Sequence, residues 1–169
     1  MPALTIAAAN VKKRVGAATA CRLSFQPEPR RSKAALAMAV QGLTTIKSSH
    51  SPQETMNRVE AAAKARGLTV FARIDHAGGA SAAGLSLRPT EVLIFGNAKG
   101  GTPLMQAVQT IGIDLPLKGL VWQDAAGDTW LSWNDPAWLT ARHRVSGAET
   151  VANNLTAVLK AVAEIATTK

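Results

Sequence analysis

The stretch that most constrains this chain is Val92 to Pro116, VLIFGNAKGGTPLMQAVQTIGIDLP. Val92-Leu93-Ile94-Phe95 is short, apolar and β-rich, as a buried strand requires. Gly96 ends it, and Gly100-Gly101-Thr102-Pro103 follow at once. Thr102 has the chemistry of an N-cap and Pro103 suits a first helical position, so a helix is expected from Thr102 to about Thr110, stopping at Gly112. A strand that runs through a glycine-rich turn into a helix presents backbone N–H groups to a ligand, an anion above all. The turn therefore supplies the candidate ligand-binding residues Asn97, Gly100, Gly101 and Thr102, with His76 and His143 as polar walls. It is not a P-loop. Gly96 and Gly101 have the spacing of G-x-x-x-x-G-K-[ST], but Thr102 stands where the phosphate-reaching lysine belongs, and a nucleotide triphosphatase is set aside. The bland alternative is that these glycines only let a strand bend into a helix.

The rest of the chain suits a single small domain. It has 169 residues, 47% of them apolar, which is enough for one core, and no apolar run reaches the length of a membrane helix. Cys21 stands alone, so neither an intramolecular disulfide nor a multi-cysteine metal site is available. The net charge of +8 suggests nucleic acid until its distribution is read. Residues 1–37 hold seven of the 19 basic side chains and one of the 11 acidic ones, leaving 12 against 10 in the remainder. A basic leader and not a basic face makes the charge, so no nucleic-acid partner and no membrane is expected. Residues 1–37 read as a disordered leader, either transit-like or upstream of a true start at Met38, and 38–169 as the domain. The compartment expected is the cytoplasm, or an organelle if the leader is a targeting segment.

In order, Leu43 to Lys47 reads as a strand. Ser51-Pro52-Gln53-Glu54 reads as a capping box opening a helix that Gly67 stops, with Met56, Val59, Ala62 and Ala63 as its apolar stripe. Leu68 to Ile74 is a second strand, followed by a small-residue helix or turn from His76 to Gly84. Thr90 to Phe95 is the third strand. Leu117 to Gln123 and Thr129 to Trp133 form a hairpin about the loop Asp124 to Asp128, with Trp130 and Ser132 on one face and Leu131 and Trp133 on the other. Asp135-Pro136 opens a short helix. Ser146-Gly147-Ala148-Glu149 is a second capping box before a helix to about Ala166, whose stripe is Val151, Leu155, Val158, Leu159 and Val162. The order is that of an α+β domain with a mixed five-stranded sheet and helices mainly on one face.

Titratable chemistry is sparse. His50, His76 and His143 have no histidine at i+4, so no helical metal pair exists and no metal site is assigned. His76 or His143 as general base, oriented by Asp114 or Asp135, is the acid/base arrangement the composition allows. A serine-hydrolase elbow fails, because Gly79-Ala80-Ser81-Ala82-Ala83 lacks its second glycine. Trp122, Trp130, Trp133 and Trp138 cluster late, as core packing or as the wall of a pocket or subunit interface.

Residues from about 42 to 145 resemble the domain of unknown function 302 family. The matching pieces are Ser48-Ser49-His50-Ser51 with Glu54-Thr55, Ile74-Asp75-His76-Ala77, and Ile94-Phe95-Gly96-Asn97 with Gly101-Thr102-Pro103-Leu104-Met105. Asp114-Leu115-Pro116-Leu117, Val121-Trp122, Asn134-Asp135-Pro136 and Arg142-His143 follow in order. The chain departs from the family pattern at Ala98, usually proline, and at Trp133, usually tyrosine. The resemblance implies a small α+β domain that forms a homodimer, and no established activity, substrate or cofactor. Its matched polar positions are His76, Asn97, Thr102, Asp114, Asp135 and His143, several of which are expected around one pocket beside the glycine-rich turn. The expectation is an uncharacterised small-ligand or anion-binding module. The alternatives are an enzyme using those histidines and aspartates, or a non-catalytic homodimeric interaction protein.

Overall fold

A computed structural model describes residues 40–169, so the leader expected at 1–37 lies outside the described residues. Five strands form one sheet: β1 (Leu43–Lys47), β2 (Thr69–Asp75), β3 (Thr90–Gly96), β4 (Leu117–Gln123) and β5 (Thr129–Asn134). The helices are α1 (Pro52–Ala65), α2 (His76–Ala82), α3 (Ala98–Ala107), α4 (Pro136–Arg142) and α5 (Glu149–Thr167), with a 3-10 turn at Gln109–Ile113. The architecture is the expected α+β, but the sheet is antiparallel throughout, in the order β1-β5-β4-β3-β2, and not mixed. Length explains the correction. At 1.5 Å per residue, α2 and α3 are about 10 and 15 Å long, too short to carry the chain back along a strand of about 23 Å. They turn it over the sheet ends instead, so β2, β3, β4 and β5 form a meander. Only α1, about 21 Å long, crosses the face, taking β1 at one edge to β2 at the other.

The helix starts follow local chemistry. Ser51 caps α1 by accepting the Glu54 N–H, with Pro52 in the first turn. Asp135 caps α4 by accepting the Ala137 N–H. The second capping box does not form. Gly147 takes φ +68° and Ala148 becomes the N-cap of α5 with no side-chain bond, so Ser146 falls outside the helix. The α1 stripe is as expected, with Met56, Val59, Ala62 and Ala63 at most 4% exposed. In α5 the most buried residues include Ala152, Leu159, Val162, Ala163 and Ala166, and those alanines let α5 lie close to α1.

Those two helices cover one face of the sheet, over Leu93, Phe95, Leu117, Val121, Leu131 and Trp133. A smaller cluster joins Leu104, Ile111, Leu139 and Ala148 beneath α3 and α4. At the edge, Arg73 binds both oxygens of Glu91 and also reaches Glu60 and Asn57, tying α1 to β2 and β3. Lys64 and Arg73 hold the Glu60 carboxyl below its ordinary range. The opposite face carries Thr45, Ser132, Trp130, Trp122, Leu120, Val92 and Ile94, and neither α1 nor α5 lies on it. Trp122 and Trp130 pair directly across β4 and β5 with ring centroids 6.2 Å apart, and the Trp122 indole donates to Ser132 Oγ at 2.9 Å. The four tryptophans therefore divide between core and open face.

Candidate functional site

The glycine-rich turn begins where β3 ends. Here the expected helix start is corrected. Asn97, extended at φ −144°, is the N-cap, and its side-chain oxygen accepts the Gly100 N–H at 2.7 Å. The helix therefore opens at Ala98, four residues before Thr102, and Pro103 lies inside it. Asn97 wins because an Asx cap satisfies a first-turn N–H directly, while Thr102 makes no such bond. The helix also ends early. Val108 is extended, and the chain continues as the 3-10 turn to Ile113.

Beside this turn is a cavity of about 470 Å³, within the range of small-molecule sites. Its rim and floor come from Asn97 to Thr102, the α3 residue Met105, and Leu115-Pro116-Leu117, where the Leu115–Pro116 bond is cis. The far walls are Leu68 and Phe71 beside and within β2, and Asn154, Leu155 and Val158 of α5. Lys99 is the one ionisable side chain in the lining, and it forms no ion pair among the described residues. Asn97, Gly100, Gly101 and Thr102 thus all line one cavity.

His76 does not join them. It is the first residue of α2, beyond Asp75, which pairs with Glu91 at the start of β3, while the cavity lies at Gly96. Asp75 is occupied in capping α2 through the Gly78 N–H at 2.9 Å. A second depression at that end is lined in part by Arg73, Asp75 and Glu91, and its charged groups are already engaged, Arg73 with Glu60 and Glu91 and Asp75 with the Gly78 N–H.

His143 and Asp114 do meet. His143 Nε2 lies 2.7 Å from Asp114 Oδ2, both side chains at most 13% exposed. His143 Nδ1 lies 3.3 Å from Thr110 Oγ1. A proton on Nε2 donated to the carboxylate leaves Nδ1 to accept the Thr110 hydroxyl. Arg142 reaches the same carboxylate at 3.3 Å and lies over the Trp138 ring. None of these residues lines the cavity. The group joins the 3-10 turn to the end of α4. Asp135 is spent as the α4 cap, and His50 Nε2 lies 2.8 Å from the Thr168 carbonyl. Among the described residues, no three His, Cys, Asp or Glu side chains are grouped as a metal site.

The β2 and α5 walls were not anticipated as site residues. One signal was present for Phe71. Val70-Phe71-Ala72 breaks strict alternation, and the register slips between Val70 and Ala72, so Phe71 is the extra residue of a β-bulge. It is 57% exposed and borders the cavity instead of joining the sheet face.

A family model for "Domain of unknown function DUF302" matches residues 44–162. The chain belongs to the DUF302 family. The crystal structure of an uncharacterized conserved DUF302 protein from Bacillus stearothermophilus aligns with a TM-score of 0.68 at 21% identity, covering 75% of this chain and 99% of that one. This shows that the two share a fold. Over 111 residues, 66% of this chain, the sequence is 53% identical to a protein named fluoride-specific ion channel FluC 1 of Brucella suis, covering 44% of it. A protein of the same name from Brucella abortus matches equally well, over 41% of its length. The chain thus spans less than half the length of the curated relatives it matches. No helix among the described residues of this DUF302 domain is long and apolar enough to cross a membrane.

Proposed function

We propose that this DUF302 domain is a small-ligand-binding module and that the cavity at the Asn97–Thr102 turn is its site. The observation that carries the reading is a cavity of about 470 Å³ built from three separate elements around four residues whose chemistry already pointed to a ligand. The Thr110–His143–Asp114 group is read as a pin between the 3-10 turn and α4, because its side chains bond one another and do not line that cavity. The compartment we read for it is the cytoplasm, or an organelle if residues 1–37 are a targeting segment. In the longer proteins named as fluoride channels, the matching segment is read as an accessory module. A bare fluoride is strongly hydrated, and carbon walls leave it unpaired at a cost of several kcal/mol or more.

Native mass spectrometry on the gently purified full chain tests the site. The expected result is a mass above an integer multiple of the chain, lost in Gly101→Leu. A Cβ on Gly101 meets Leu115 and Met105, two lining residues, at 3.7 and 3.8 Å, ordinary contact distances, so the position accepts a Cβ and a leucine there is expected to take up cavity space. Retention of the same excess mass by a folded Gly101→Leu overturns the reading.

The assembly that accompanies it is a homodimer through the open sheet face. Half-buried apolar side chains around the Trp122–Trp130 pair favour this. Sedimentation of the chain as a monomer at micromolar concentration overturns the dimer and leaves the cavity reading untouched.

A further inference from the structure

We propose that the ligand of this cavity is a small amphipathic monoanion, a hydrocarbon body carrying one carboxylate, with the body in the cavity and the carboxylate at Lys99. The inference rests on the cavity reading above and adds the chemical class.

Three observations point the same way. First, the interior walls are carbon: Leu68, Met105, Leu115, Leu117, Leu155 and Val158 meet there from the two sheet-side segments, α3 and α5. Transfer of apolar area into such a space is favourable at about 25 cal/mol per Å², whereas a polar solute loses its hydrogen bonds to water without replacement. Second, charge is confined to one side, and the one polar group on the far wall, Asn154, is neutral. Lys99 is the only charge, and the lining contains no carboxylate. The N–H groups of Ala98 and Lys99 precede the first intrahelical bond, which runs from the Gly101 N–H to the Asn97 carbonyl. One ammonium and a helix start suit one negative charge; a phosphate monoester would call for more. Third, the bulge in β2 places the half-exposed ring of Phe71 against the cavity. A large apolar side chain left in water at the border of an apolar space gains area when a hydrocarbon chain lies against it. A bulge that re-aims one side chain is a usual device beside binding sites.

The test uses the full chain with decanoate and its neutral counterpart 1-decanol, titrated by calorimetry below their aggregation limits. Decanoate is expected to bind about three- to tenfold tighter than 1-decanol, the scale of a solvent-exposed ion pair assisted by a helix start. Lys99→Gln, an exposed position, is expected to cut most of that preference. Gly101→Leu and, independently, Val158→Phe are expected to abolish both. Equal binding of the two probes overturns the anionic class, and a preference undiminished in Lys99→Gln overturns the placement of the carboxylate at Lys99, while the cavity reading stands in both cases. Binding of neither probe overturns the amphipathic class, and the mass excess described above then judges the cavity separately. Binding indifferent to both filling variants overturns both readings.

Discussion

Single residues decide several close fits in this domain. Gly42 adopts φ +76°, and a Cβ there would lie 2.1 Å from the Trp138 ring, over which Arg142 also lies. Gly42→Ala must move the indole and hold a left-handed alanine, so a loss of about 2–3 kcal/mol is expected in urea unfolding. An unchanged midpoint would refute it. The same scale shows what could be read in advance and what could not. Ser51 and Asp135 cap as expected because each competes with no better neighbour. Thr102-Pro103 carries an equally good local signal and fails, because Asn97 offers a cap four residues earlier and the helix, once begun, runs through Pro103. His143 and Asp114 were legible as residue types. Their pairing across 29 positions of sequence depends on the 3-10 turn, which no local pattern announced.

At the scale of elements, the β4–β5 hairpin was fully legible, because its alternation and its loop agree. Asp124 closes it by accepting N–H groups from Ala126 and Asp128 and the indole N–H of Trp130. The Trp130 bond, followed by the backbone bonds, holds the Asp124 carboxyl below its ordinary range. A carboxyl lowered on folding stabilises the native state above its unfolded value, near 3.9, and loses that contribution as pH falls through the folded value. Wild-type and Asp124→Asn are therefore expected to differ in melting temperature at neutral pH and to converge in the acid range. A gap that stays constant with pH would show that the charge contributes nothing. The walls of the cavity were less legible. Val158 and Leu155 sit on α5 at helical spacing, where an apolar stripe looks the same whether it meets a core or a void.

For the whole molecule, strand direction was the quantity that sequence order left open. A helix between two strands suggests a parallel crossover only when it is long enough to return the chain, and here that holds for α1 alone. Among the described residues, α1 and α5 clad one face of the sheet and leave the other without them, which makes the dimer testable. Leu120 lies on the open face beside Trp122, one residue from the buried Val121. Leu120→Arg is expected to give a folded monomer in sedimentation velocity, and persistence of a dimer would move the interface elsewhere. The β2 bulge has a consequence beyond the cavity. β2 is an outer strand, and an outer strand with regular spacing is a template on which further copies can stack without limit. The extra residue at Phe71 puts its N–H and C=O groups out of step, with Arg73 and its ion pairs two residues on. The chain thereby carries its own safeguard against fibre growth, and removing Phe71 to restore regular spacing would give up that safeguard along with the ring.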